Sequence, residues 1–295
     1  MNDIFDKNTR ILNITHYDMD GICSHIILKN YYEKVVLVPI TYQSEKTLLT
    51  KIQEHAGEYD AIICTDFHPE QTYTQLKRLG VPIIVMDHHE SVACWHNGLD
   101  LIVDTSQSAS GQLYDRYSKL CDLSHLNDLV RIVDDFDMYR KKDRRSPEFN
   151  KLFWEMGMKW WLHRFQYGNT KLYVEEVNWL KESFKEIEKV YDKLPLTPLP
   201  MNGAFFELDY YQFEICEKLR KDGYKWFMIL NKKNLSIRSD ASIDLLPVIK
   251  KINRGGGHHQ AVGIPLNYKE DPGLLVKKVI KAFNEVYSDH NNTIR

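Results

Sequence analysis

The chain has 295 residues, 43% of them hydrophobic and 27% charged, with a formal net charge of −2 at pH 7. This composition is typical of a soluble globular protein that is long enough for two domains with separate cores. No apolar run approaches the roughly 20 residues of a membrane helix, and the acidic N-terminus lacks the features of a secretory signal. The five cysteines are scattered and never form a CxxC pair, which argues against a zinc knot or a disulfide framework and predicts a cytoplasmic protein.

The first hundred residues alternate between short apolar runs and helical patterns. The predicted strands are Ile11–Thr15, Val35–Ile40, Ala61–Thr65, Pro82–Met86 and Leu101–Val103, and the predicted helices lie near Ile22–Tyr32, Glu45–His55 and Glu70–Leu79. Pro69 suits the first turn of the third helix, and Gly80 suits the position just after its end. Because strands that alternate with helices pair through right-handed crossovers, we expect an α/β fold whose parallel sheet has helices on both faces.

Beyond Ser108 the pattern is mainly helical and then returns to mixed helices and strands. The predicted elements are helices at Gln112–Leu120 and Leu126–Asp135, a long helical stretch to about Lys193, and later elements at Tyr211–Lys221, Trp226–Leu230, Leu235–Ser239, Ile243–Lys251 and Leu274–Tyr287. The segment Leu194–Pro200 has three prolines in seven residues and predicts a domain boundary. We therefore expect one domain at 1–140, a helical linker at 141–200 and a smaller α/β domain at 201–295.

The charge is unevenly distributed along the chain. Between Lys218 and Arg254, ten Lys and Arg stand against three Asp, a local net charge of +7 that leaves −9 for the remainder. Such a division suits an enzyme that holds cations in one domain and an anionic substrate in the other. A basic face that is simply solvated is the alternative.

Imidazoles and carboxylates follow three of the predicted strands. They are His16, Asp18 and Asp20 after the first, Asp66 after the third, and Asp87, His88 and His89 after the fourth. Taken singly, Asp20 could cap a helix and Asp66 could occupy a turn. Ligands bind at the carboxyl ends of parallel strands, however, and buried charge is costly without a partner. A carboxylate-rich set of oxygen and nitrogen donors favours Mn²⁺ or Mg²⁺, and several aspartates allow two ions about 4 Å apart.

Six motifs in order resemble those of one family. They are Thr15–Ser24, which resembles HxDxDGxxS, then Asp66 in Thr65–Phe67, Asp87–His89, Ser108–Tyr114, Leu235–Ser239 and the glycine-rich Gly255–Gly263. Over about residues 11–264 the chain resembles the DHH phosphoesterases with their associated DHHA1 domain, a family that includes RecJ-like exonucleases and nanoRNase-like oligoribonucleases. Val262 departs from the alanine that the family has in the glycine-rich loop.

The resemblance implies roles for individual residues. His16, Asp18, Asp20, Asp66 and His88 would be metal ligands, with Asp66 as the bridge. In the catalytic motif, Asp87 would orient His88, while His89 would contact the substrate phosphate or support the ligands. The fourth motif offers Asp134, Asp135 and Asp137. The preceding Ile-Val pattern favours Asp135, whereas an aromatic-aspartate pattern favours Asp137, and we take Asp135 as the predicted ligand.

The second half is expected to bind substrate through Arg238, Gly256, Gly257 and His258. Consecutive glycines allow positive φ and a close approach of backbone N–H groups to an anion, and arginine can grip a phosphate bidentately. A flexible hairpin is the alternative interpretation of this loop. Trp154, Trp160 and Trp161, which lie in the helical stretch, either stack bases or pack the helices onto the first domain.

The activity that the resemblance implies is a phosphodiesterase with two Mn²⁺ ions, or alternatively Mg²⁺. It would hydrolyse short oligonucleotides or dinucleotides to mononucleotides in the manner of an exonuclease. We expect no membrane partner, and a homodimer is compatible with this activity. The alternatives are a cyclic-dinucleotide phosphodiesterase and a 3′-phosphoadenosine phosphate phosphatase. A non-catalytic nucleotide-binding regulator is a further alternative, although it would be expected to lack one of the strand-end donors.

Overall fold

A computed structural model describes residues 5–89, 100–267 and 271–288. The chain divides into two compact units, Met1–Leu180 and Lys181–Arg295. Within the described ranges, no helix combines the length and the apolar character needed to cross a bilayer. The described cysteines, Cys23, Cys64, Cys121 and Cys216, are free thiols, and Cys94 lies outside the described residues.

The first unit contains a five-stranded parallel sheet. Its strands are β1 (Ile11–His16), β2 (Val35–Ile40), β3 (Ala61–Thr65), β4 (Ile83–Asp87) and β5 (Asp100–Val103). They are arranged in the order β2-β1-β3-β4-β5. Each agrees with its predicted range to within one residue at either end. Strands β3 and β4 are buried along their whole length, as expected of parallel strands covered on both faces by helices.

This strand order creates a crevice at the carboxyl edge of the sheet. The chain leaves β1 to form β2 on one side and then returns to form β3 on the other. Connections that depart in opposite directions open a crevice between β1 and β3, where ligands bind in open α/β sheets. His16 ends β1 and Asp66 follows β3, so both residues lie at this crevice.

The helices of the first half differ from the prediction mainly at their starts. They are α1 (Met19–Tyr31), α2 (Leu48–Gln53) after a 3₁₀ turn at Tyr42–Thr47, α3 (Tyr73–Lys77), α4 (Ala109–Tyr117) and α5 (Asn127–Asp137). Helix α1 begins earlier than predicted because the Asp18 carboxylate caps it, accepting a hydrogen bond from the Gly21 amide. The placement of Pro69 in the first turn of α3 was wrong. The Glu45 carboxylate accepts hydrogen bonds from the amides of residues 71 and 72 and so holds that stretch as a turn. Gly80 follows α3 with a φ of 71°.

The predicted long helical stretch consists of three helices. These are α6 (Ser146–Met156), α7 (Met158–Phe165) and α8 (Val174–Asp192). Gly157, with a φ of 82°, separates the first two. Phe149, Phe153, Trp161 and Phe165 are fully buried. The division between the units falls within α8, after Leu180. Residues 141–180, which the sequence assigned to a linker, are therefore grouped with the first unit.

The second unit is built on a six-stranded mixed sheet. Its elements are β6 (Thr197–Leu199), β7 (Gly203–Glu207), α9 (Gln212–Lys221), β8 (Trp226–Leu230), β9 (Asn234–Ser239), α10 (Leu246–Ile252), β10 (Gly256–His258), β11 (Ala261–Pro265) and α11 (Pro272–Ser288). The order is β10-β11-β9-β8-β7-β6, and only β7 and β8 pair in parallel among these neighbours. The proline-rich segment predicted as a boundary contains β6. Because β6 is an edge strand, the backbone N–H that Pro198 lacks is not needed for pairing.

Candidate metal centre

Two groups of three donors lie at the carboxyl edge of the parallel sheet. Donor atoms of His16, Asp18 and Asp66, here called the first triad, lie within 4.8 Å of one another. The second triad, Asp20, His88 and Asp137, meets the same limit. Oδ1 of Asp66 is 3.1 Å from Nε2 of His88, so Asp66 connects the two triads.

A buried polar network fixes the ends of the two central strands. The Thr65 hydroxyl donates to the Thr15 hydroxyl at 2.8 Å, and the Thr15 hydroxyl donates to the carbonyl of Thr65 at 2.9 Å. The Asn13 side-chain amide donates to the Thr65 hydroxyl at 3.0 Å. All three side chains are buried and directly precede His16 or Asp66, or lie close to them along the strand. The network therefore holds the ends of β1 and β3 in register where the donors begin.

The first triad is organised by the beginning of α1. Nδ1 of His16 lies 2.6 Å from Oδ2 of Asp18 and 3.7 Å from Oδ2 of Asp66. The other Asp18 oxygen accepts the Gly21 amide at 2.9 Å. Burial by itself would raise the pKa of Asp18, but the neighbouring His16 outweighs it, and the pKa lies below the usual range. Asp18 is therefore held as a carboxylate beside His16.

Asp66 has a left-handed backbone conformation, and its carboxylate lies close to other carboxylates. Its φ of 53° is in the left-handed region, which aspartate tolerates better than most residues. The side chain is 1% exposed, and its buried Oδ2 accepts no hydrogen bond from the described residues. Burial, followed by repulsion from Asp18 and Asp20, raises its pKa well above the usual value. A nearby cation would remove this repulsion.

In the second triad, Asp20 connects the beginnings of two helices. It lies near the start of α1, and its carboxylate accepts the amides of Ala109 at 2.9 Å and Ser110 at 3.0 Å, at the start of α4. The positive end of the α4 dipole favours a negative charge there. Burial is nevertheless the largest influence, and it raises the pKa of Asp20.

Asp137, and not Asp135, completes the second triad. Oδ2 of Asp137 is buried, lies 3.2 Å from Nε2 of His88 and accepts no hydrogen bond from the described residues. The Asp135 carboxylate instead accepts the amide of Lys142 at 2.7 Å and the hydroxyl of Ser146 at 2.6 Å. Residues two apart on a helix point in nearly opposite directions. The structure therefore places Asp135 outside the cluster, and we replace it by Asp137 in the proposed ligand set.

Asp87 organises the two histidines that follow it. Its Oδ1 accepts the amide of His88 at 2.7 Å, the amide of His89 at 3.1 Å and contacts the His89 ring Nδ1 at 2.6 Å. It thus holds the backbone of His88 and the ring of His89, and the resemblance implied that it orients His88. Burial would raise the pKa of Asp87, but the neighbouring His68 and His89 lower it below the usual range.

Sequence reasoning missed His68. Its Nδ1 lies 3.4 Å from Oδ2 of Asp87, and its side chain is largely buried. The available signal was its position two residues after Asp66, in a loop that follows a buried strand. His68 and His89 together contact both oxygens of the Asp87 carboxylate.

The donor set fits divalent cations. Carboxylate oxygens and imidazole nitrogens suit Mn²⁺ or Mg²⁺, and no thiol belongs to either triad. The buried oxygens Asp66 Oδ2 and Asp137 Oδ2, which accept no hydrogen bond from the described residues, are unfavourable without a positively charged partner.

The residues predicted to bind substrate lie in the second unit. Arg238 is on β9, where its guanidinium donates to the carbonyls of Ile237 at 3.1 Å and Val262 at 3.3 Å. Burial lowers the pKa of Arg238. No carboxylate in the described part of the chain forms an ion pair with it.

The glycine-rich loop forms the hairpin of β10 and β11. Gly257 has a φ of 140°, and a Cβ there would lie 2.2 Å from the carbonyl oxygen of Ala261. Gly256 has open space around it. The hairpin therefore requires glycine at 257 for its backbone, whereas Gly256 leaves room for another group. The side chain of His258 lies outside the described part of the chain.

Comparisons with known proteins agree with the architecture. Residues 10–130 match the DHH family, N-terminal domain. A search of curated proteins found no match. RecJ from Thermus thermophilus, solved in complex with Mn²⁺, has a TM-score of 0.66 at 14% identity, and the match covers 93% of this chain and 52% of RecJ. This chain therefore spans about half the length of that RecJ.

Two other solved structures match over almost their whole length. One is an exopolyphosphatase-related protein from Bacteroides fragilis, with a TM-score of 0.56 at 15% identity, covering 94% of this chain and 92% of that one. The other is PggH from Vibrio cholerae, described as a pGpG-specific phosphodiesterase, with a TM-score of 0.53 at 15% identity and coverage of 94% and 99%. At these identities the similarity shows the fold.

Proposed function

We propose that this protein is a metal-dependent phosphoesterase that cleaves short oligonucleotides or dinucleotides, since residues 10–130 match the DHH family, N-terminal domain. The family match and the RecJ and phosphodiesterase neighbours support a metal-dependent phosphoesterase. The finer assignments, which are the ion, the substrate and the role of each residue, are our proposals.

The two triads, connected through Asp66, are the observation on which the proposal mainly rests. One ion would be held by His16, Asp18 and Asp66, and the other by Asp20, His88 and Asp137 with Asp66 shared. We propose Mn²⁺ as the ion and Mg²⁺ as the alternative, since RecJ from Thermus thermophilus was solved with each.

When bound, such a pair of ions lowers the pKa of a water molecule and stabilises the charge that develops on the phosphoryl oxygens. The residues around these ions orient the groups that contact the substrate. Asp87 holds Nδ1 of His89 at 2.6 Å and so fixes the tautomer and orientation of the ring. We propose that Nε2 of His89 contacts a phosphate oxygen of the substrate.

For the second unit we propose substrate binding through Arg238 and the hairpin at Gly256 and His258. The Arg238 guanidinium is partly buried, and within the described part of the chain its hydrogen bonds go to the carbonyl oxygens of Ile237 and Val262, which favours an anion as a further partner. The net charge of +7 between Lys218 and Arg254 supports the same assignment.

Short substrates are favoured over long single strands. PggH, which its description calls pGpG-specific, is covered over 99% of its length by this chain. A protein of similar length and fold therefore acts on a linear dinucleotide, and we propose the same size class here. A cyclic dinucleotide and 3′-phosphoadenosine phosphate are the alternative substrates.

The test is hydrolysis by the purified full chain in Mn²⁺, in Mg²⁺ and in chelator. The substrates are linear dinucleotides, five-nucleotide and forty-nucleotide RNA and DNA, cyclic di-AMP and 3′-phosphoadenosine phosphate. We expect metal-dependent hydrolysis with the highest kcat/KM at two to five nucleotides. Comparable kcat/KM on the five- and forty-nucleotide strands would contradict the size class, and absence of hydrolysis of every substrate would contradict the activity.

A further inference from the structure

Trp154, Trp160 and Trp161 differ in their exposure to solvent. Trp161 is fully buried and Trp160 is partly buried against Phe165, at 6.0 Å between ring centroids. Trp154, near the end of α6, is 57% exposed. The packing function that the sequence suggested therefore suits Trp160 and Trp161 but leaves Trp154 unexplained.

The Trp154 ring is held in place although it faces solvent. Its Nε1 donates to Oδ1 of Asn150 at 3.1 Å, and its ring meets buried Phe153 edge to face at 5.3 Å. A large exposed aromatic ring with a fixed orientation loses little conformational entropy when another planar group stacks on it.

Tyr17 connects this ring to the metal centre. Tyr17 directly follows His16 of the first triad, so their Cα atoms are about 3.8 Å apart. The Tyr17 ring is 6.0 Å from Trp154 and 5.9 Å from Phe153 between centroids. The exposed Trp154 ring is thus connected to the metal centre through direct contacts within one unit.

The segment between the second triad and Trp154 is basic. After Asp137 the chain forms a turn that carries Lys141, Lys142 and Arg144, all exposed, and then enters α6. Asp135 fastens this turn through the amide of Lys142 and the hydroxyl at the start of α6. A basic segment in the same unit as an exposed aromatic ring suits a ligand that has both a phosphate and a planar base.

We propose that Trp154 and Tyr17 form a nucleobase subsite, in which the Trp154 ring stacks on the base of the nucleotide whose phosphate lies at the metal centre. The inference rests on the proposed function and narrows it, because a polyphosphate or another phosphoester without a base would not use this subsite.

The experiment compares pApA with an analogue that lacks both bases. Trp154→Ala should lower kcat/KM on pApA by at least about fivefold, since stacking on an aromatic side chain contributes about that much or more per base. It should leave kcat/KM on the analogue unchanged. Trp154→Phe keeps a ring and should retain most of the activity, whereas Trp154→Leu should behave like Trp154→Ala. Tyr167→Ala, which removes another exposed aromatic side chain of the same unit, serves as the matched control and should match wild type on both substrates.

Two outcomes would overturn the subsite and leave the proposed function intact. One is that Trp154→Ala hydrolyses pApA with the same kcat/KM as wild type. The other is that Trp154→Ala loses equally on pApA and on the analogue, which would mean that Trp154 acts through the metal centre. If wild type hydrolyses neither compound, the assignment of a linear dinucleotide as substrate fails, and calorimetric binding of pApA in Ca²⁺ then tests the subsite. Weaker binding by Trp154→Ala supports it there, and equal binding overturns it.

Discussion

Replacing Asp66 by Asn should change stability in opposite directions with and without metal. Asparagine keeps the side-chain shape, tolerates the left-handed backbone at φ 53° and can still accept a hydrogen bond from His88. It removes one negative charge from a buried cluster in which burial, followed by Asp18 and Asp20, raises the pKa of Asp66. We therefore expect Asp66→Asn to melt above wild type in chelator and below it in Mn²⁺.

The magnitude follows from the separation of the charges. Donor oxygens of Asp18 and Asp66 lie within 4.8 Å. Two unit charges at such a distance repel by about 3 kcal/mol at an effective dielectric constant of about 20. His16 and His88 offset part of this repulsion, so we expect Tm in chelator to rise by a few degrees, at about 2–4 °C per kcal/mol. Metal at about one hundred times its Kd stabilises wild type by about 2.7 kcal/mol, or roughly 5–10 °C, and Asp66→Asn should lose most of that gain.

Differential scanning calorimetry of the full chain in EDTA and in Mn²⁺ measures both effects. Asp137→Asn should behave like Asp66→Asn, because it also removes a buried carboxylate of the cluster. Asp135→Asn is the control. It should lower Tm in both buffers through loss of the hydrogen bonds to Lys142 and Ser146, and it should keep the Mn²⁺ shift. An Asp66→Asn protein that keeps the full Mn²⁺ shift, or that melts below wild type in EDTA, would refute the reasoning.

Other substitutions test the surroundings of the centre and the hairpin of the second unit. Burial lowers the pKa of His25 to about 3. The unfolded chain therefore binds more protons than the folded chain below about pH 6.5, and wild type should lose about 2 kcal/mol of stability as the pH falls to about 5. His25→Gln should abolish this loss, as measured by urea unfolding at a series of pH values. At Gly21, a Cβ would lie 2.2 Å from the carbonyl oxygen of His16, so Gly21→Ala should weaken Mn²⁺ binding at least about tenfold by calorimetry, and unchanged affinity would contradict this. Gly257→Ala should lower Tm by several degrees because of its φ of 140° and the nearby strand backbone, while Gly256→Ala, with open space around it, should melt like wild type.

The parallel sheet and most of the centre could be predicted because both depend on local sequence. Buried parallel strands are mostly apolar runs, and β3 and β4 are such runs up to their last residues. Strand β1 is a similar run that the polar Asn13 and Thr15 interrupt. The donors follow these runs at once, so the position of each strand end also fixed the position of His16, Asp66 and His88. Local patterns also located strands β8 and β9 of the second unit close to their predicted ranges.

The choice between Asp135 and Asp137 could not be made from the sequence, because both follow the same apolar pattern and only the packing of α5 decides which of them faces His88. The position of His68 two residues after Asp66 was too weak a signal to assign it a partner, since its contact with Asp87 joins a loop to the end of β4, which is distant in sequence. The start of α3 was mispredicted for a similar reason, as Glu45, far upstream, holds the preceding turn. Local patterns determine where strands and helices form, whereas contacts between residues far apart in the chain exist only after those elements have packed, so the tertiary structure decided which side chains complete the site.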